Sequence, residues 1–148
     1  ELEEAVLIYE EKARRENILL RYNEPETIPV MVGDRTRLRQ VFINVIDNAL
    51  KYSDAGGEVR ISASVRGDSV LISVSDDGIG IAPEDLPRIF EKGYTGSTGR
   101  ADKKASGIGL YLCRRICTTL GHKITVHSVP GEGTEVCICL ERVDLEIE

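Results

Sequence analysis

A carboxylate followed by two glycines stands at the end of a predicted strand, in the run Asp-Asp-Gly-Ile-Gly that begins at Asp76. Ile72 and Val74 alternate with Asp76, which predicts that its carboxylate lies on the buried face of the strand. A buried carboxylate needs a hydrogen-bond donor, and the exocyclic amine of adenine is one. Gly78 and Gly80 leave room for a flat ring against the main chain. The pattern predicts a site for a purine base.

A second set of polar residues lies on one long helix, predicted from Asp34 to Tyr52. Asn44, Asn48 and Lys51 recur at helical spacing beside an apolar stripe, so this helix has a core face and a polar face. Buried amides need partners, which a triphosphate and Mg2+ supply. One amide oxygen, from Asn48, suffices for Mg2+, and Lys51 can reach a phosphate. The alternative is that both amides lie at a solvated helix edge.

A third feature is a glycine-containing helix start after a long polar segment. We expect residues 91 to 106 to form a lid, because they lack periodicity and are rich in Gly, Ser, Thr and Lys. The run that follows directs free backbone N–H groups toward phosphate: Ser106, Gly107, Ile108, Gly109 and Leu110. The basic lid residues expected over the phosphates are Lys92, Arg100, Lys103 and Lys104. The alternative for each basic residue is that it is simply solvated. Phe90 and Tyr94 are predicted to anchor the lid, and the alternative is that one of them packs in the core.

Composition predicts one domain over residues 1 to 148, because a chain of this length with 41% apolar residues suits a single core. The net charge of −6 argues against a nucleic-acid surface. No apolar run approaches the ~20 residues that cross a bilayer, and no signal peptide is recognisable. The sequence as given is expected to be soluble.

The four cysteines are interpreted as free thiols rather than metal ligands. Cys113 and Cys117 lie one turn apart on a predicted helix, whereas Cys137 and Cys139 share one face of a predicted strand. Neither spacing resembles the turn-based knuckles that present thiolates to zinc. We therefore expect buried or half-buried thiols, which are typical of a reducing cytosolic setting.

The apolar residues recur at helical spacing in some segments and at strand spacing in others, which predicts an α+β two-layer sandwich with one mixed sheet covered on one face by helices. The predicted helices are residues 1 to 16, 34 to 52, a short one from Pro83 to near Phe90, and 107 to 120. The predicted strands are residues 18 to 22, 30 to 32, 59 to 65, 70 to 76, 123 to 129 and 134 to 140. The first helix is expected to enter from a missing upstream domain.

This ordered set of motifs resembles the catalytic and ATP-binding domain (HATPase_c) of two-component sensor histidine kinases, in the GHKL superfamily. The resemblance covers nearly the whole chain. Its motifs are the N box at residues 34 to 52, the G1 box at 76 to 80, the F box at 90 to 94, the G2 box at 107 to 111, and a glycine turn at 131 to 134. It implies a Bergerat-type fold and a protein histidine kinase activity with ATP and Mg2+ as cofactors.

The resemblance also assigns roles to residues. It implies Asp76 on the adenine amine, Asn48 on magnesium, Lys51 near phosphate and Tyr52 near the nucleoside. The catalytic set is Asn44, Asn48 and Lys51. The wider nucleotide site adds Tyr52, Asp76, Gly78, Gly80, Ile81, Phe90, Lys92, Tyr94, Arg100, Ser106, Gly107, Ile108, Gly109, Leu110 and Thr134.

Asn44 separates the leading function from its alternatives. GHKL ATPases and anti-sigma serine kinases usually have Glu there as a general base, and Asn cannot take a proton. A third possibility is a non-catalytic ATP-binding module. Neither His122 nor His127 has the sequence context of a phosphoacceptor, so both are predicted to be structural or surface residues.

The resemblance further implies partners that lie outside this chain. These are a helical dimerisation and phosphoacceptor domain of the same parent kinase and a cognate response regulator. The fragment is expected to be monomeric and cytoplasmic, and the parent a homodimer in the bacterial cell membrane.

Overall fold

The computed structural model describes residues 2–23, 35–81, 83–91 and 109–141. Three α-helices and five β-strands follow one another in this part of the chain. In order they are α1 (Leu2–Arg15), β1 (Leu19–Asn23), α2 (Arg35–Lys51), β2 (Glu58–Arg66), β3 (Ser69–Asp76), α3 (Gly109–Leu120), β4 (Lys123–Val129) and β5 (Gly133–Glu141). The predicted strand at 30 to 32 and the expected helix cap at Asp34 lie outside the described residues.

The strands form one mixed sheet in the order β1-β2-β3-β5-β4. β1 runs parallel to β2, and the other neighbouring pairs are antiparallel. The tight turn between β2 and β3 contains Gly67 at a φ of 58°, a left-handed conformation that glycine adopts without strain. The register places Asp76 beside Val59 on one side and Thr134 on the other. The predicted hairpins and the mixed sheet are therefore confirmed.

The helices cover one face of this sheet and enclose the core. Residues that alternate along the central strands point into it, and α2 contributes the largest share of fully buried side chains. The side chains with essentially no exposure include Ile46, Leu50, Ile61, Ile138, Val41, Val45, Val59 and Val74. The intervening residues of β5 are only half-buried, on the open face. The two-layer α+β prediction is confirmed.

The cysteines behave as core and half-core residues in this fold. Cys113 and Cys117 on α3 are buried, and burial raises the pKa of the first thiol to about 12 and of the second to about 11. Cys137 and Cys139 are half-buried on β5, and all four thiols are free. Across the described ranges, no group of three or more metal-ligating side chains is close enough to hold an ion.

One predicted helix is largely wrong. The segment from Pro83 to Phe90 contains only a single 3-10 turn, Leu86–Arg88, in which the N–H of Arg88 donates to the carbonyl of Asp85 at 2.8 Å. Pro87 has no N–H and cannot make an α-helical hydrogen bond at this point. None of the helices in the described residues combines the length and the apolar character that a membrane span requires.

Candidate functional site

Asp76 ends β3 on the same face as Ile72 and Val74, as predicted. Its Oδ1 accepts a hydrogen bond from the backbone N–H of Gly78 at 2.9 Å, and the backbone N–H of Thr134 also donates to the carboxylate. Burial nevertheless raises the pKa of Asp76 to about 6, because desolvation outweighs these two hydrogen bonds. A carboxylate in this state favours a ligand that brings a further donor.

Gly78 and Gly80, which follow this carboxylate, are required because the backbone packs closely against two other segments. A Cβ at Gly78 would overlap the carbonyl oxygen of Tyr52 and lie 3.0 Å from Asp76 Oδ1. Gly80 has a φ of 76°, and a Cβ there would overlap the carbonyl of Val129. The chain after β3 is thus pressed against the end of α2 on one side and the β4–β5 turn on the other.

The β4–β5 turn holds the same loop through hydrogen bonds. The N–H of Gly131 donates to the carbonyl of Ile79 at 2.8 Å, and the N–H of Ile81 donates to Ser128 Oγ at 2.8 Å. Ser128 Oγ also lies 2.9 Å from Thr134 Oγ1. Thr134 and Ile81 therefore belong to the structure around Asp76. Ser128 was not identified from sequence, because an isolated strand serine carries no pattern that marks a loop contact.

Asn44 and Asn48 are half-buried on α2, in the stripe that the sequence predicted. Asn44 Oδ1 accepts a hydrogen bond from Gln40 Nε2 at 3.0 Å, and its side chain also hydrogen-bonds to the Cys113 thiol. These contacts place the side chain of Asn44 at the interface of α2 with α3. The amide oxygen of Asn48 belongs to the class of ligand that Mg2+ prefers, so the donor chemistry of this helix face fits the ion.

Lys51 lies on the same helix but forms an ion pair within the protein. Its Nζ is 3.1 Å from Asp47 Oδ2, while Lys12 Nζ of α1 is 3.1 Å from Asp47 Oδ1. The expected contact of Lys51 with phosphate stays a prediction. Its salt bridge to Asp47 is a feature that sequence analysis did not anticipate.

Two aromatic residues were predicted at the site, and the structure ties each of them to a different helix. Tyr52 is half-buried, which raises the pKa of its phenol, and its carbonyl accepts a 3.4 Å hydrogen bond from the N–H of Ile79. Phe90 is half-buried, with the Arg114 guanidinium 5.0 Å from its ring centroid, a cation–π contact that ties its segment to α3.

The start of α3 supplies the last described part of the predicted site. Gly109 begins this helix, and Leu110 is half-buried near it. The other predicted residues of the lid and helix start lie outside the described residues: Lys92, Tyr94, Arg100, Lys103, Lys104, Ser106, Gly107 and Ile108.

The sequence profile of the histidine kinase-, DNA gyrase B- and HSP90-like ATPases (HATPase_c) matches residues 33–144. The chain belongs to this ATPase family. The matched range contains α2, the Asp76 loop, α3 and the β4–β5 turn. Within the family it is a catalytic ATP-binding domain of the sensor histidine kinase type, in the GHKL superfamily, as the resemblance implied.

Known members of the family support this assignment. Histidine protein kinase SaeS of Staphylococcus aureus is 35% identical over 140 residues, which cover 93% of this chain and 40% of SaeS. The chain therefore spans about two fifths of the length of this curated relative. The nucleotide-free catalytic domain of histidine kinase ThkA matches with a TM-score of 0.82 and 27% identity, over 95% of this chain and 90% of that one.

Two longer structures of such ATPase-domain proteins are also similar. Full-length ShkA in complex with AMPPNP matches with a TM-score of 0.80 and 28% identity, over 94% of this chain and 28% of that one. ThkA in complex with the response regulator protein TrrA matches with a TM-score of 0.78 and 26% identity, over 96% of this chain and 39% of that one.

The histidines of this ATPase domain are placed as the sequence predicted. His122 is buried at 9% exposure, and its Nδ1 accepts a hydrogen bond from the N–H of Glu141 at 2.9 Å. His127 is exposed on β4, beside Glu135 of β5. The first is structural and the second is a surface residue on the open face of the sheet.

Proposed function

We propose that this domain binds ATP with Mg2+ and donates the γ-phosphoryl group to a histidine on a separate helical domain of a sensor histidine kinase. The observation that carries the proposal is the half-buried carboxylate of Asp76, set in a glycine loop between α2 and the β4–β5 turn. Family membership makes ATP the expected ligand, and ShkA, a similar protein, was solved with the ATP analogue AMPPNP.

The proposed roles follow the chemistry of each side chain. The carboxylate of Asp76 accepts a hydrogen bond from the adenine amine, and this donor compensates the burial of its charge. Tyr52 lies beside Gly78 at the floor of the loop and lines the nucleoside. Asn48 offers an amide oxygen to Mg2+, which neutralises phosphate charge when bound. Lys51, on the same helix face as Asn44 and Asn48, offers an ammonium group to the phosphates.

The proposed reaction is an in-line transfer. The neutral imidazole nitrogen of the acceptor forms a bond to the γ-phosphorus as the bond from that phosphorus to the β–γ bridging oxygen breaks, and ADP leaves. An imidazole nitrogen needs no base to become nucleophilic, so Asn44 does not have to accept a proton. The work of this domain is to bind, orient and neutralise charge.

Two other functions predict different behaviour. A GHKL ATPase or a serine kinase would need a general base near Asn44, whose amide contacts Gln40 and Cys113 instead. A non-catalytic module would bind ATP and transfer nothing. Turnover by the isolated domain or labelling of serine would favour the first pair, and binding without transfer would favour the second.

The binding experiment is a calorimetric titration with AMPPNP, with and without Mg2+, and with a GTP analogue as the control ligand. We expect magnesium-sensitive binding of the adenine nucleotide only. Asp76→Asn should abolish the preference for adenine, whereas Asp77→Asn, on the exposed neighbouring carboxylate, should preserve it. Asn48→Asp should alter the magnesium dependence. Equal affinity in all of these variants would contradict the proposed roles.

The transfer experiment supplies the acceptor in trans. The helical domain of the parent kinase, incubated with this domain and radiolabelled ATP, should gain an acid-labile, base-stable label. An acid-stable label on that domain, or no label despite tight AMPPNP binding, would contradict the histidine kinase proposal. A version of the acceptor with its histidine replaced by Gln provides the matched control.

The setting of the parent protein is proposed on the same basis. The parent is a homodimer in the bacterial cell membrane whose phosphohistidine passes its phosphoryl group to a response regulator. ThkA, a similar kinase, was solved in complex with the response regulator protein TrrA. The proposal includes residues 91 to 106 as a lid over the nucleotide and residues 1 to 16 as the entry from the helical domain.

A further inference from the structure

Asp47 lies where α1 packs against α2, and three side chains converge on its carboxylate. Lys12 Nζ is 3.1 Å from Oδ1, and Lys51 Nζ is 3.1 Å from Oδ2. Tyr9 of α1 also hydrogen-bonds to this carboxylate. The side chains of Lys12, Asp47 and Lys51 are 34%, 23% and 24% exposed, respectively. One carboxylate therefore forms ion pairs with two lysines that belong to different helices.

The surroundings of Asp47 are partly desolvated, which strengthens its interactions relative to those of fully exposed ion pairs. Tyr9 reports on the same environment, since burial and the neighbouring Asp47 charge together raise the pKa of its phenol to about 12. By contrast, the pair between Arg14 and Glu11 on the outer side of α1 is 74% and 63% exposed. The two sites provide a matched comparison on one helix.

Lys51 also borders the proposed nucleotide site. It shares the polar stripe of α2 with Asn44 and Asn48, and it lies one helical turn after Asp47. Its long flexible stem can direct the ammonium group either to Asp47 or to a phosphate bound beside Asn44 and Asn48. Two anions, one from the protein and one from the ligand, therefore compete for a single cation.

We propose that Asp47 is a positioning residue that restrains Lys51, and that Lys12 of α1 sets the strength of this restraint and so couples α1 to nucleotide affinity. This inference rests on the proposed function. With Lys12 in place, the Asp47 charge is partly neutralised and Lys51 moves to phosphate more easily. Without Lys12, Asp47 attracts Lys51 more strongly. The coupling is reciprocal, because phosphate that draws Lys51 away leaves Asp47 to Lys12 and Tyr9.

The experiment compares AMPPNP with adenosine, which carries no phosphate, in calorimetric titrations of the domain. Asp47→Asn should tighten AMPPNP binding by roughly two- to fivefold, the range for one partly exposed charge pair, and leave adenosine binding unchanged. Lys12→Gln should weaken AMPPNP binding by a similar factor. Arg14→Gln, in the exposed ion pair of α1, should change the affinity for neither ligand.

A double variant gives the sharper test. When Asp47 is already Asn, Lys12→Gln should have no further effect on AMPPNP, because the carboxylate through which it acts is gone. The differences should also shrink in 0.5 M salt, where charge interactions of this exposure are screened. Thermal unfolding of each variant verifies folding, and Lys12→Gln carries the test if Asp47→Asn does not fold.

Several results would overturn the inference. They are unchanged AMPPNP affinity in both single variants, weaker AMPPNP binding in Asp47→Asn, or equal changes for AMPPNP and adenosine, which would mark a purely structural role. Failure of the unsubstituted domain to bind AMPPNP would instead refute the proposed function, and this inference with it. If the unsubstituted domain binds AMPPNP and substitution of Asp47 leaves that affinity unchanged, the inference is refuted and the proposed function is not.

Discussion

Replacing Asp76 by Asn should stabilise the nucleotide-free domain while it removes adenine recognition. The carboxylate of Asp76 is largely desolvated in the folded chain, and within the described residues the backbone N–H groups of Gly78 and Thr134 compensate its charge. An amide of the same shape keeps the acceptor for the N–H of Gly78 but carries no charge to desolvate. A residue kept for ligand binding would thus reduce the stability of the protein that contains it.

The magnitude follows from the pKa of Asp76, which burial raises from 3.8 to about 6. Such a difference corresponds to about 3 kcal/mol of folding free energy lost when the carboxylate is ionised. The new amide N–H2 group of Asn needs an acceptor and forfeits about 1 kcal/mol. We therefore expect Asp76→Asn to raise the free energy of unfolding by about 2 kcal/mol, or roughly 6 to 8 °C in Tm for a chain of this size.

The pH dependence provides the signature. Because the folded-state pKa of Asp76 is raised, the folded protein binds more protons than the unfolded one between pH 3.8 and about 6. Its contribution therefore destabilises the fold above pH 6 and disappears as the pH falls toward 4. The gain from Asp76→Asn should be largest at pH 7.5, should fall to zero as the pH approaches 4, and should become a loss of about 1 kcal/mol at lower pH, where only the cost of the amide is left.

Thermal unfolding followed by circular dichroism, without nucleotide, measures this difference. Asp77→Asn is the comparison variant, because Asp77 is exposed and its Oδ1 accepts an N–H from Glu58 at 3.0 Å. The charge of Asp77 is a lesser cause of the raised pKa of Asp76, so this variant should gain less stability than Asp76→Asn. A Tm for Asp76→Asn equal to or below that of the unsubstituted domain at pH 7.5 would refute the reasoning. So would a gain that persists unchanged at pH 4.

Three further predictions follow from the same geometry. AMPPNP affinity should fall below pH 6, by up to about tenfold per pH unit, as the acceptor Asp76 is protonated; calorimetry at pH 5 to 8 measures this. Burial lowers the pKa of His122, so the neutral imidazole stabilises the fold only while the pH stays above about 6.5. Urea unfolding of the unsubstituted domain and of His122→Gln should therefore differ less as the pH falls below this value. Gly78→Ala should cost about 3 kcal/mol in urea unfolding and abolish AMPPNP binding, because its methyl group would overlap the Tyr52 carbonyl.

Each of these has a comparison that isolates its cause. The pH effect on AMPPNP should be absent in Asp76→Asn, and an effect of equal size there would assign it to another group. For His122, a difference from His122→Gln that does not change between pH 7 and 5 would contradict the argument from the neutral imidazole that accepts from Glu141. Gly67→Asn is the control for Gly78, because Gly67 has no atom within 4 Å of its Cβ position and Asn tolerates its φ of 58°.

Much of the fold was predictable because short-range periodicity reports which face of an element is buried. Ile72, Val74 and Asp76 alternate, and the structure places all three on the helix-covered side of β3. The long helix and both hairpins were predicted within one or two residues. The 3-10 turn at Leu86–Arg88 was missed although the sequence shows its cause: a helix predicted from the start signal at Pro83 overlooks that Pro87 removes an α-helical hydrogen bond.

The candidate site was predictable where residue type alone limits the chemistry. A carboxylate followed by spaced glycines is by itself only a turn, but together with amides at helical spacing on a preceding helix it predicts a nucleotide site. The sequence by itself therefore determined the class of domain, the polar face of α2, and the identity of Asp76, Asn44 and Asn48 as the residues of interest.

Only the tertiary structure decided how those residues are held. Lys12 and Asp47 are 35 positions apart, and no local pattern predicts that one carboxylate pairs with Lys12 and Lys51 together. The raised pKa of Asp76 likewise depends on burial and on a backbone contact from Thr134, far along the chain. Periodicity encodes the direction of a side chain, whereas partners, desolvation and charge sharing are properties of segments that meet only on folding.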